Sequence, residues 1–197
     1  MSTLQTTFIQ KLGAGTDAFE IPANDGTSGQ YLQTDGTGGL SWQTVDPAAF
    51  ESYAVICDSK ATGVDGGSAT SGAFRTRDLN TEISDQDGIV SIASNQFTLA
   101  AGNYLIRWSA PACNVSRHQT RLRDITNTAT VSAGTAEYVA SVLQTRSFGS
   151  ARVSITGNTV YEVQHLVQTT VANIGFGFGQ NTGENQIYTL VEIFREA

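Results

Sequence analysis

The residues best able to do chemistry in this chain are few. There are two histidines, His118 and His165, and two cysteines, Cys57 and Cys113. His165 falls on the same face of a strand-like run as Tyr161, Val163 and Val167, which reads as a structural histidine on an apolar face. At an interface between chains it would make assembly weaken in acid, because burying a charged imidazole is costly. His118 shares a face with Thr120 and Leu122, and the opposite face carries Arg117, Gln119, Arg121 and Arg123. Arg117, Arg121 and Arg123 read either as forks for carboxylates of a neighbouring subunit or as a solvated face paired locally. Both cysteines lie in apolar runs and neither belongs to a CxxC pair, so buried free thiols are expected and zinc is not.

The remaining motifs lack the context their chemistry needs. No GxSxG elbow occurs, so Ser-His-Asp catalysis has no setting. Asp85-Gln86-Asp87-Gly88 contains a fragment of a calcium loop without the later ligands and reads as a β-turn. The glycine-rich NIGFGFGQNTG at 173–183 has no following lysine and no helix, which argues against a phosphate cradle. Its Phe176 and Phe178 are expected to cap one end of the fold or to face a partner. No catalytic residue, metal ligand or cofactor is assigned. An enzyme such as a glycan depolymerase would need a carboxylate pair brought together from distant strands.

The elements that would position these residues are strands. Charged residues are only 15% of the 197, against about 25% in an average globular protein. Thr, Ser, Asn, Gln and Gly take their place, and these suit strands and turns better than helices. Tyr104, Ile106 and Trp108 alternate with Leu105, Arg107 and Ser109, the period of a half-buried strand. Further strands are expected over 117–125, 136–148, 151–156, 159–170 and 186–195. No window has helical periodicity. In the last run Ile187, Val191 and Ile193 are expected on one face and Tyr188, Leu190 and Phe194 on the other. A strand apolar on both faces should be covered on both, by a partner subunit or by the chain's own loops.

Three regions divide the chain: an arm over 1–45, a linker over 46–50 and a head domain over 51–197. The arm holds a short strand between Leu4 and Ile9, then a segment punctuated by Asp25-Gly26, Asp35-Gly36 and Gly38-Gly39, each a turn signal. Its apolar anchors Phe8, Ile9, Tyr31, Leu32, Leu40 and Trp42 need another surface to cover them. The formal net charge is -7, with every arginine at or beyond Arg75, so nucleic-acid phosphate is an unsuitable partner. MSTLQTTFIQ lacks a basic head and an apolar run, and no stretch approaches the roughly 18 apolar residues of a membrane span. The chain is therefore expected to be made in a cytoplasm and to have no membrane partner.

Two stretches carry a resemblance. FTLAAGNYLIRWSA (97–110) resembles the strand–turn–strand of tumour-necrosis-factor-like and complement-like jelly rolls, and YTLVEIFRE (188–196) resembles their closing strand. Residues 51–197 as a whole are similar to jelly-roll domains of bacteriophage virion proteins, through GAFRTRDLNTEI (72–83), RHQTRLRDIT (117–126) and QTRSFGSARVSI (144–155). GTSGQYLQTDGTGGLSW (26–42) is similar to a turn-rich unit of phage fibre and appendage proteins.

The resemblance implies an all-β jelly-roll sandwich assembled as a homotrimer on a virion surface. The trimer interface would be drawn from Tyr161, His165, Tyr188, Leu190 and Phe194, with Arg117, Arg121 and Arg123 as polar contacts between subunits. Residues 1–45 would hold the major capsid protein or another virion protein, as in a capsid decoration, cement or short head-fibre protein. The alternative is a tail-fibre or receptor-binding module, with loops 60–72 and 173–184 touching host glycans.

Overall fold

The computed structural model describes residues 8–10, 18–20, 22–44, 50–141 and 143–197. Two compact units make up the chain, Met1–Pro47 and Ala48–Ala197.

In the first unit, β1 (Phe8–Gln10) pairs with β2 (Ala18–Glu20), and β3 (Gln30–Thr34) pairs with β4 (Leu40–Thr44). The β3–β4 turn is organised by Asp35. Its Oδ1 accepts the backbone N–H groups of Thr37 and Gly39 at 2.8 and 2.9 Å. These bonds hold its carboxyl below the usual carboxylate range, the Thr37 amide most of all. The hairpin makes a small apolar contact of its own. The Trp42 ring lies against Gly26, where a Cβ would meet the ring at 2.7 Å, and Trp42 Nε1 donates to the Asn24 carbonyl at 2.8 Å.

The second unit is built from β5 (Phe50–Lys60), β6 (Arg75–Thr76), β7 (Thr81–Ser84), β8 (Val90–Ala93), β9 (Gln96–Leu99), β10 (Gly102–Cys113), β11 (Ser116–Asp124), β12 (Ala129–Val139), β13 (Gln144–Ile155), β14 (Thr159–Val167) and β15 (Gln186–Glu196). One sheet has the order β13-β10-β15-β5-β7; the other runs β12-β11-β14-β9-β8, with β6 paired to β14. Every pairing is antiparallel. The pairs nest: β11 with β12 innermost, then β10 with β13, β9 with β14, and β5 with β15. Successive nested pairs fall in alternate sheets. A long hairpin rolled up in this way is a jelly roll, so the expected all-β jelly-roll class is the observed one.

The core follows from the period-two pattern. Tyr104, Ile106, Trp108, Val191 and Ile193 of one sheet meet Phe97, Leu99, Leu122, Tyr161 and Val163 of the other. Trp108 is tied across the gap, its Nε1 donating to Thr120 Oγ1 at 2.9 Å. Its ring lies under Gly149, where a Cβ would stand 1.9 Å from Cζ2, so glycine is the residue that lets β13 cross the indole. Ser94-Asn95 joins β8 to β9 with φ of 54° and 64°, a two-residue hairpin turn with both residues left-handed.

Several strand bounds differ from expectation. The run 136–148 is the end of β12, a turn, and the start of β13, which continues through the expected strand 151–156 as far as Ile155. The turn falls where the sequence has no glycine or proline, and Ser141 takes φ of 59° instead. Most of β12 was not expected to be a strand. As an edge strand exposed along one side, its Ala, Thr, Ser and Gly carry little apolar alternation. In β15 the pairing with β5 shifts between Ile187 and Leu190, so Tyr188 and Thr189 are both buried and Ile187 is exposed. Both cysteines are buried free thiols.

Candidate interaction surface

The two sheets present opposite outward faces. On the five-stranded sheet, strand alternation sends Tyr53 and Val55 of β5, Leu105 and Arg107 of β10, Phe148 of β13, and Leu190, Glu192 and Phe194 of β15 away from the core. The register places Phe194 beside both Leu105 and Tyr53, and Arg107 beside Glu192. Tyr53 is 53% exposed and Phe148 55% exposed, and the Phe50 ring packs on Phe194 with centroids 5.1 Å apart. A depression of about 410 Å³ opens on this face between Phe148, Leu190, Arg107 and Glu192, floored by Trp108 and Gly149. The result is an exposed apolar field around one acid and one base, the pattern of a protein–protein contact surface.

The outward face of the six-stranded sheet is polar and largely bonded within the chain. Arg121 Nε donates to Gln164 Oε1 at 2.7 Å and Nη1 to Thr130 Oγ1 at 3.1 Å, while the guanidinium stacks 3.8 Å from the Phe74 ring. Gln164 in turn donates to Glu162, whose other oxygen accepts from Gln96 at 3.0 Å. Arg121 is thus engaged at home rather than poised for a neighbour's carboxylate. Arg117 and Arg123 share its strand face and, among the described residues, form no ion pair. Above this network lies a groove of about 660 Å³, lined by Arg117, Gln119, Glu137, Leu166, Gln168 and the exposed Tyr138, with His118 at its floor.

The residues expected at a trimer interface separate into two groups. Leu190 and Phe194 are half-buried on the outward face of the five-stranded sheet. Tyr161 and His165 lie between the sheets, fully enclosed by this chain, and Tyr188 is buried at one end with its hydroxyl donating to the Val64 carbonyl at 2.6 Å. Strand alternation explains this. Tyr161, Val163, His165 and Val167 do share one face of β14, as the spacing implies, and that face is the core side.

His165 instead belongs to a buried polar cluster. Its Nε2 lies 2.9 Å from His118 Nδ1, and His118 Nε2 lies 2.8 Å from Thr145 Oγ1. Nearby, the buried Arg77 donates to Thr189 Oγ1 at 3.0 Å and to the Phe176 and Pro111 carbonyls at 3.1 and 3.3 Å. Phe176 does cap this end, whereas Phe178 remains exposed. Nothing in the local sequence marks Arg77 as buried; β10, β15 and the loop carrying Phe176 enclose it together.

Loops 60–72 and 173–184 are laced to each other. Gly66 N donates to the Gly177 carbonyl at 2.8 Å, Phe176 N to Gly67 O at 2.9 Å, and Gly63 N to Gln180 O at 3.1 Å. At Asp85, the carboxylate accepts from the Ile89 and Val90 amides at 2.8 and 3.2 Å, closing a turn. No group of three or more His, Cys, Asp or Glu placed to hold a metal ion occurs among the described residues.

In the first unit Tyr31 and Leu32 are 45% and 43% exposed, while Leu40 and Trp42 are half-buried within the hairpin. The side chains of Phe8 and Ile9, and the expected linker except Phe50, lie outside the described residues.

No family model matches the sequence, and no curated protein is significantly similar to it. Among solved structures, the globular domain of zebrafish complement 1qA protein is 14% identical, covers 73% of this chain and 95% of its own, and has a TM-score of 0.47. The Eiger TNF of S. frugiperda is 12% identical over 76% of this chain and 94% of its own, with a TM-score of 0.49. Murine APRIL is 6% identical over 73% and 98%, with a TM-score of 0.47. The jelly-roll assignment rests on the strand order of this chain itself.

Proposed function

We propose that this chain is a non-enzymatic assembly protein that forms a homotrimer through the outward face of its five-stranded sheet and is carried on a phage particle by its N-terminal unit. The observation that carries the self-association is the outward apolar field of the exposed Tyr53 and Phe148 with the half-buried Leu190 and Phe194, beside the Arg107–Glu192 neighbours. A second copy supplies both the apolar cover and complementary charges. The threefold count comes from the resemblance of 97–110 and 188–196 to tumour-necrosis-factor-like and complement-like strands.

The virion reading, as a capsid decoration, cement or short head-fibre protein, comes from the resemblance of 26–42, 72–83, 117–126 and 144–155 to phage virion proteins. The exposed Tyr31 and Leu32 support an attachment role for the first unit. Three weak footholds joined in one trimer bind with strong avidity.

Light scattering on the purified chain tests the assembly: three times the 20.9 kDa chain mass is expected, and a stable monomer at micromolar concentration overturns it. Quantitative mass spectrometry of purified particles tests the location. Hundreds of copies in a multiple of three support capsid decoration, and absence from the particle overturns the virion reading.

A second reading, a tail-fibre module for host glycans, is favoured by the groove that joins Tyr138 to Arg117, Gln119 and Gln168. A flat aromatic beside planar polar groups suits a sugar ring and its hydroxyls. Binding in a glycan array that Tyr138→Ala removes would support it.

A further inference from the structure

The buried end of the sandwich has a feature that assembly does not use. His118 on β11 and His165 on β14 are 3% and 0% exposed and hydrogen-bonded ring to ring. His165 Nδ1 has no hydrogen-bond partner. In the neutral pair one proton lies between the rings. With His118 Nδ1 as donor, His165 carries its own proton on Nδ1, facing nothing. With His165 Nε2 as donor, His118 donates to Thr145 and His165 Nδ1 is a bare lone pair. Both arrangements leave one buried nitrogen unsatisfied, and a further proton on the pair adds an uncompensated charge.

The surroundings oppose that charge. Arg77 and His165 both stack against Phe176, the guanidinium at 4.0 Å and the imidazole at 5.6 Å from the ring centroid. The Arg77 hydrogen bonds all go to neutral acceptors, so its charge is not cancelled by contact. Arg146 on β13 adds a further positive charge toward Arg77, while Asp58 on β5 and Asp78 next to Arg77 act against it from a distance. Glu137 on β12 is the acid that favours a charged His118, and it is outweighed by burial.

We propose that the His118–His165 pair is an acid-operated latch, which holds Phe176 and the laced loops 61–72 and 170–183 on the end of the sandwich while both rings are neutral and releases them when protonated. The geometry supports both parts. His118 bonded to Thr145 ties the six-stranded sheet to β13 of the other sheet. Phe176, seated on His165, is bonded through its N–H to Gly67, so the two loops move as one. The consequence for an assembled particle is a head domain that loosens at one end in acid without losing its strands.

The sign follows from burial. Desolvation holds His118 down to about 4 and His165 well below the ordinary imidazole value, with Arg77 adding to both. The closed state therefore binds fewer protons than the open one. Its stability is full above about pH 6.5 and is lost as the pH falls toward 4.

Hydrogen exchange of the full chain, corrected for intrinsic rates, tests this at pH 8 and pH 5. One proton whose site moves from about 4 to about 6.5 on opening raises the opening equilibrium of 61–72 and 170–183 about thirtyfold, with β10 and β15 still protected. Replacing both rings, His118→Gln with His165→Gln, removes the titrating sites and should flatten that dependence. If that variant does not fold, imidazole NMR of the wild type decides: rings neutral at pH 5.5 support the latch. A ring titrating near 6.5 with the loops still protected overturns it, as does equal loop protection at both pH values. Assembly mass is followed in parallel, so failure of the trimer and failure of the latch are separate results.

Discussion

The two outward faces of the sandwich make a controlled comparison within one chain. Both are antiparallel surfaces of similar strand length, made by the same alternation. The six-stranded face links Arg121, Gln164, Glu162 and Gln96 in one chain of hydrogen bonds and covers Arg121 with Phe74, and its exposed apolar side chains, Tyr138 and Leu166, line the groove. The five-stranded face leaves Tyr53, Phe148 and Ile83 more than half exposed. A face whose groups bond one another is stable against water, whereas one built from exposed aromatic and aliphatic side chains gains by being covered. The contrast separates a surface that bonds many of its own polar groups from one that leaves aromatic side chains open to solvent.

The largest expected effect comes from breaking the apolar face. Phe148→Glu with Leu190→Asp puts two charges into the field around Arg107 and Glu192. If each residue is worth about 2 kcal/mol at the interface, the pair costs about a thousandfold in association, and light scattering should report a single chain mass. Arg117→Glu on the other face should leave the mass unchanged. Equal losses from both would end the distinction.

Next comes the link between that face and the core. Gly149→Ala drives a methyl into the Trp108 ring, an overpacking that should cost about 1–3 kcal/mol in a urea melt. Because Gly149 and Trp108 also floor the depression beside Phe148, association should weaken too. A melt unchanged from wild type would mean that β13 can yield over the indole.

Smaller still is Arg121→Ala. It removes two hydrogen bonds and the Phe74 stack, a loss of about 1 kcal/mol in stability with no change in mass. A fall in assembly mass would instead restore Arg121 as an inter-subunit fork. Smallest is Arg152→Ala, which breaks an ion pair with Glu196 whose arginine is 63% exposed. Its effect on the melting temperature should be slight and vanish in 1 M salt.

Much of the fold was legible because alternation is a local signal. Tyr104, Ile106 and Trp108 face the core as their spacing implies, and the Asp85–Gly88 turn is closed by the Ile89 and Val90 amides donating to the Asp85 carboxylate. The break between β12 and β13 was not legible, because no glycine or proline marks it and Ser141 supplies the left-handed residue. The bulge in β15 was equally hidden. It moves Tyr188 from the outward row into the end of the sandwich, where Val64 and the glycine loop receive it.

For the candidate site, the sequence showed that β14 and β15 carry apolar residues and that His165 shares a face with Tyr161. It did not show which face is the core. Period two divides a strand's residues into two sets without naming the inner one. Of the residues expected at a partner, Leu190 and Phe194 lie on the outward face, whereas Tyr161, His165 and Tyr188 are buried within the chain.

By itself, then, the sequence determined the all-β class, the turn-rich acidic composition of residues 1–45 and, away from the β15 bulge, the pairing of residues into strand faces, because each depends on neighbours within a few positions. Only the tertiary structure decided which faces pack inward, that Arg77 is enclosed by a loop from 99 residues away, and that His118 meets His165 across 47 residues. Those outcomes depend on which strands the nested roll makes adjacent, and that is a property of the whole chain rather than of any window in it.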